Sequence, residues 1–236
     1  MPSETNLFSP KLQRRYRASL RAGHTELPTR WPAGCGGAGN AFLVLLGPSP
    51  GGVRKGGRPA KGGGNRPKGW AMGLGAEAMN FDWGDHRKAR WTRLCAEMLG
   101  GEPYVRAMTA LLNLDWRNST DEKAIPIADL EAGWDEHILP LLSTVRPRIV
   151  CALTNRVWNV VAPAAERTRM AFPACPVELA REPIAFRISG CRFPTLLVKP
   201  HNHPSRFLSN DQMADLGKAC SWFINVSQEP ENQRRR

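Results

Sequence analysis

The stretch Ala41–Gly52, AFLVLLGPSPGG, constrains this chain more than any other. Six apolar residues in a row, Ala41 to Leu46, leave no polar face. A strand apolar on both sides belongs in a sheet covered on both sides, which is the habit of parallel sheets. The run stops at Gly47-Pro48-Ser49-Pro50-Gly51-Gly52. Two prolines remove backbone donors there, and the glycines admit tight or left-handed turns. In an open α/β sheet, ligands bind beyond the carboxyl ends of the strands. The plain alternative is an ordinary strand–turn junction, so the other strand ends must decide.

The rest of the chain alternates helix-like and strand-like patterns. Phe81 to Leu99 reads as a helix with Trp91, Leu94, Cys95, Met98 and Leu99 inward. Tyr104 to Leu112 reads as a second strand, ending at Asn113. A helix follows from about Ile127 to Ser143, with a kink expected at Pro140. Arg148 to Leu153 is a third strand, with a short helix from Thr154 to Val161 after it. Thr195 to Lys199 is a fourth, running into Pro200-His201-Asn202-His203-Pro204-Ser205. Asn210 is expected to cap a last helix to about Asn225. This order predicts a single α/β domain, with a mostly parallel central sheet and helices on both faces. The domain is expected over residues 27–226. Before it, residues 1–26 read as a basic extension with a helix opened by Ser9-Pro10, carrying Lys11, Arg14, Arg15, Arg17 and Arg21. Residues 22–40 read as loop, and 227–236 as a disordered tail.

Charge narrows the partner. The 236 residues carry a formal net charge of +12. Such a balance favours a polyanion, with nucleic acid ahead of membrane. The cations cluster in the Gly-rich loop 51–69, which holds Arg54, Lys55, Arg58, Lys61, Arg66 and Lys68 and no acid. Glycine backbone with interspersed cations suits phosphate contact; a solvated insertion is the alternative. The six cysteines include no CxxC pair, which argues against a zinc ribbon or iron–sulfur site and for buried reduced thiols. The amino terminus has no apolar signal core, and no run approaches roughly 20 apolar residues. The expectation is a soluble, cytoplasmic, monomeric DNA-binding protein without membrane contact, metal or cofactor. His201 and His203 lack a neighbouring acid or cysteine and are not read as metal ligands.

Three strands run into polar residues of distinct chemistry: Ser49, Asn113 and His203. In a parallel sheet their loops share one edge. An amide pairs donor and acceptor against a base edge. An imidazole stabilises negative charge on a leaving group. Over a basic surface, that combination suits chemistry on a flipped base. Trp70, Phe81, Trp83 and Trp116 are candidate base stackers, with core packing the alternative.

The order strand–GPSPG, strand–LLN and strand–HPS resembles the uracil-DNA glycosylase superfamily, over about residues 40–225. The matching segments are Gly47 to Gly51, Leu111 to Asn113 and His203 to Ser205, with Arg146 to Leu153 similar to the strand between motifs. The resemblance implies hydrolysis of an N-glycosidic bond. Gly47, Gly51, Asn113 and Phe81 would form the base pocket. His203 would donate to the base carbonyl as charge develops there. Ser205 and Arg206 would contact DNA, and Phe207, or Leu208, would wedge into the vacated stack.

Two residues depart from the pattern. Ser49 stands where an acid or amide commonly handles water, so a carboxylate elsewhere is expected to act: Asp82 and Asp85 first, then Glu77 and Asp115. N-capping is the alternative role for Asp82 and Asp85. Gly51 stands where uracil enzymes of the family carry a tyrosine against the pyrimidine five-position. The open space predicts a 5-substituted pyrimidine as substrate, with defence against phage carrying modified DNA as the role. Removal of plain uracil in base-excision repair and non-catalytic nucleic-acid binding are the alternatives.

Overall fold

The structure is a computed structural model that describes residues 29–30, 41–48, 86–101, 105, 108–115, 123, 125–202 and 208–233. Among the described residues, six strands form one sheet in the order β1-β3-β2-β4-β6-β5. They are β1 (Thr29–Arg30), β2 (Leu43–Gly47), β3 (Thr109–Asn113), β4 (Ile149–Ala152), β5 (Ile184–Phe186) and β6 (Thr195–Val198). The four central strands β3, β2, β4 and β6 are parallel. The two edge strands run antiparallel to their neighbours. The expected α/β architecture with a mostly parallel sheet is therefore present.

Alternation along β2 sorts the core into two layers. Leu43 and Leu45 pack with α1 (His86–Leu99) and α5 (Asn210–Gln233), through Leu94, Cys95, Met98, Met213, Leu216, Cys220 and Phe223. Val44 and Leu46 pack on the opposite side with α2 (Ile127–Gly133), α3 (Leu139–Val145) and α4 (Asn155–Glu166). All five residues of β2 are buried, as the unbroken apolar run requires. Burying each of its four leucine and valine side chains stabilises by about 1.5–3 kcal/mol. The exposed pairs Arg169–Glu182 and Lys218–Asp215 are screened by solvent and contribute little beside that burial. The two apolar layers hold this fold.

Local chemistry sets the helix ends. Thr154 caps α4, its hydroxyl accepting from the Val157 amide. At the start of α5, Ser209 Oγ accepts from the Gln212 amide at 3.2 Å while Gln212 Oε1 accepts from the Ser209 amide at 3.0 Å. This reciprocal box makes Ser209 the cap, one residue before the expected Asn210. It opens a helix that runs to Gln233, beyond the expected end near Asn225 and through residues 227–233 read as tail.

Several other boundaries move. Residues 105 and 108 are helical and β3 starts only at Thr109, so the strand expected from Tyr104 is shorter. Helix α4 extends through Pro163 to Glu166, past the expected Val161. The distortion expected at Pro140 lies one turn earlier. Trp134–Ile138 form a π-turn between α2 and α3, in which the Leu139 amide donates to Trp134 O. Pro140 has no N–H for a carbonyl one turn back, and its ring crowds that carbonyl. The widened turn removes the conflict. Strand β1 lies in the segment expected to be loop, and β5 was not expected.

Candidate functional site

Residues at the carboxyl edge of the central strands form the candidate site. Gly47 ends β2 and Asn113 ends β3, and the two are paired in register. Ala110, Leu112 and Leu114 belong to the layer beneath α2–α4, so alternation turns Asn113 to the α1/α5 side. Gly47 follows Leu46 in the same alternation and turns that way too. A Cβ on Gly47 would lie 2.6 Å from Asn113 Oδ1. The amide thus occupies the volume that glycine leaves empty. Asn113 is 5% exposed.

The pairing of these strands continues past their ends. The Leu114 amide donates to Gly47 O at 3.0 Å, and the Asp115 amide donates to Pro48 O at 2.9 Å. The backbones of both exits are therefore tied to one another. Helix α2 backs the same point. A Cβ on Gly133 would collide with the Leu114 carbonyl, so helix and strand exit touch backbone to backbone. Helix α1, which precedes β3, covers one face of the sheet, while α2, which follows β3, covers the other. Where the connections of neighbouring parallel strands leave toward opposite faces, a crevice opens beyond their carboxyl ends.

The same edge carries two further polar residues, both buried. Asp115, third in line among the expected carboxylates, lies beside Pro48 and is largely inside the protein. Lys199 follows the last residue of β6, and its ammonium donates to Pro200 O at 2.9 Å. Sequence reasoning assigned Lys199 to the strand and gave it no role; a lysine continuing an apolar strand was the available signal. His201 and Asn202 are exposed at the start of the next loop.

The structure thus brings Gly47 and Asn113 together. Ser49, Gly51, Phe81, Asp82, Asp85, His203, Ser205, Arg206 and Phe207 lie outside the described residues, as do Glu77, Trp70, Trp83, Trp116 and the cations Arg54, Lys55, Arg58, Lys61, Arg66 and Lys68. The basic helix expected before residue 26 is outside them as well. One expectation is overturned: Leu208 is 2% exposed and packs with Met213 and Leu216 under α5. A side chain held in that core cannot wedge into DNA, which leaves Phe207 as the wedge candidate.

No protein-family model matches the chain, and no curated protein matches it. Its function must be argued from its own residues.

Outside this edge, a cavity of about 140 Å³ opens beside β5, lined by Met170, Phe172, Cys175, Ala185, Leu196 and Trp222 among others. Phe172 and Trp222 meet edge to face, with centroids 6.4 Å apart. Its lining comes mostly from the segment 169–175, with Ala185 and Leu196 from the middle of β5 and β6 and Trp222 from α5. Cys95, Cys151 and Cys220 are buried free thiols, as expected for Cys95 and Cys151. Burial pushes all three thiol pKa values up, that of Cys151 to about 12, so these are structural rather than nucleophilic groups. Among the described residues no three His, Cys, Asp or Glu side chains are grouped to hold a metal ion. No helix among them is long and apolar enough to cross a membrane.

Proposed function

We propose that the chain is a DNA glycosylase with a fold like that of the uracil-DNA glycosylases, hydrolysing the N-glycosidic bond of a flipped, 5-substituted pyrimidine. The observation that carries this reading is the seating of the Asn113 amide over Gly47 at the carboxyl edge of a parallel sheet. An amide fixed there can pair with the Watson–Crick edge of an extruded base. Asn113 would hold the base. His203, five residues beyond the end of β6, would donate to the base carbonyl as the glycosidic bond breaks. The electron pair of that bond passes to the base, and the sugar becomes oxocarbenium-like before water adds. Gly51, with no side chain against the five-position, favours a larger pyrimidine than uracil, and removal of modified bases from phage DNA is the role that fits. The net charge of +12 supplies the attraction to DNA.

The test is mass spectrometry of bases released from a panel of genomic DNAs that includes hypermodified pyrimidines. Release of a 5-substituted base is expected, and its loss in Asn113→Ala and His203→Ala while DNA binding remains. Ready release of uracil from plain oligonucleotides, with hypermodified DNA untouched, would shift the assignment to uracil repair. Ser49, a poor base in the water-handling position, favours the second reading, a non-catalytic nucleic-acid-binding protein. In that case no base is released, and substitutions among Arg54 to Lys68 dominate DNA affinity.

A further inference from the structure

Lys199 is a cation inside the protein, and among the described residues no carboxylate pairs with it. It is 4% exposed. An ammonium has three donors, and one of them goes to Pro200 O. Among the described residues, no carboxylate stands within ion-pair distance of it. The larger electrostatic influence on it comes from another cation, Arg181. Burial, and then Arg181, hold the Lys199 pKa below its ordinary value, against a smaller opposite pull from Cys151.

A buried ammonium that also feels a second cation is costly in the empty protein. A methionine of similar length would fill the same space without that cost. The position gives the cation a use. Lys199 lies at the carboxyl edge of β6, on the same sheet edge as Gly47 and Asn113, and at the root of the segment Pro200–Ser205. Strand β5 runs antiparallel to β6 with Ile184 opposite Leu197, so the segment just before β5, which carries the exposed Arg181, passes the end of β6 where Lys199 lies buried. Two donors without a partner among the described residues, and a second positive charge on the segment that passes the same strand end, match an oxyanion with several acceptor oxygens.

We propose that Lys199 and Arg181 form a phosphate-binding site at the carboxyl edge of the sheet. Its ligand is a phosphate group, either free or as the diester of a nucleic-acid backbone. The site does not depend on base release, since a glycosylase and a non-catalytic binder would both use it.

The experiment compares thermal unfolding of the full chain for wild type, Lys199→Met, Lys199→Arg and Arg181→Gln. Each is measured without phosphate, with inorganic phosphate, and with chloride at equal ionic strength. Phosphate should raise the wild-type Tm by several degrees where chloride does not. Lys199→Met should match or exceed the wild-type Tm without phosphate and lose the phosphate response. Lys199→Arg should keep that response and Arg181→Gln should reduce it. A mere tether for the Pro200 carbonyl predicts the reverse: Lys199→Met melts lower, with the phosphate response unchanged. That result overturns the site, as does a wild type that ignores phosphate. Titration with a short oligodeoxynucleotide separates the two sources. A roughly tenfold affinity loss in Lys199→Met, with a salt slope lower by about one, assigns a backbone phosphate. Unchanged affinity with a lost phosphate response supports the site with free phosphate as its ligand.

Discussion

The side-chain amide of Asn113 fills the space that any larger residue at position 47 would need, since a Cβ there would stand 2.6 Å from its oxygen. Gly47→Ala must therefore push Asn113 aside, at a cost of about 1–3 kcal/mol. With Asn113→Ala in place, the same substitution should cost little. A double-mutant cycle by urea unfolding should give a coupling above about 1 kcal/mol. Additive effects would mean that the two residues do not share that volume.

Gly133→Ala should be strongly destabilising even though alanine is the better helix former by about 1 kcal/mol. The added methyl meets the Leu114 carbonyl, part of a backbone also tied through the Leu114 amide to β2, so neither side can yield cheaply. A net loss of about 3 kcal/mol by chemical denaturation is expected, the upper range for overpacking. A gain in stability would contradict the close approach of α2.

The buried thiols make alkaline pH destabilising. Burial raises the folded pKa of Cys95, Cys151 and Cys220 above the ordinary value of 9.0. The unfolded chain releases these protons near pH 9 while the folded chain keeps them, so their stabilisation is full below pH 9 and falls as pH rises. Each thiol contributes a decline of about 1.4 kcal/mol per pH unit in that window. Unfolding of wild type and Cys220→Ala between pH 8.5 and 10.5 checks the sign. The alanine variant starts less stable, and its deficit should narrow as pH rises. A deficit constant with pH would show that Cys220 ionises equally in both states.

Arg146→Gly should stabilise. Arg146 ends α3 in the left-handed region, with φ at 55°, which costs a residue with a Cβ about 1–2 kcal/mol. Glycine removes that cost and returns about half of it as unfolded-state entropy. A gain of about 0.5–1 kcal/mol in urea is expected, with the Arg146 amide still donating to Leu142 O. Loss of stability would show that the arginine side chain contributes more than its backbone costs.

The parallel core was legible because its strands are apolar on both faces. The Leu43–Leu46 run announces a covered sheet, and Asn113 stands out as an amide ending an apolar strand. The edge strands were not legible. Two residues at Thr29–Arg30 and three at Ile184–Phe186 carry no period, and their strand character comes from pairing with β3 and β6. Cap chemistry was half legible. Ser209 and Gln212 have capping-box spacing, but Asn210 beside them is an equally good cap residue, and only geometry separates them. The π-turn ahead of Pro140 depends on how a helix absorbs a missing donor, which a proline alone does not fix. Leu208 follows another large apolar residue, Phe207, in the sequence, and only the packing around α5 shows that Leu208 is buried. Lys199 escaped notice because a lysine ending an apolar strand looks like a solvated boundary, and its burial comes from the packing around β6.

The exits of β2 and β3 are joined main chain to main chain, Gly47 O to the Leu114 amide and Pro48 O to the Asp115 amide. Main-chain groups are the same whatever the side chain, so this floor offers selection almost nothing to exchange. Descendants of this chain that take a different ligand would have to differ in what overhangs the floor, while the floor itself passes unchanged from one to the next.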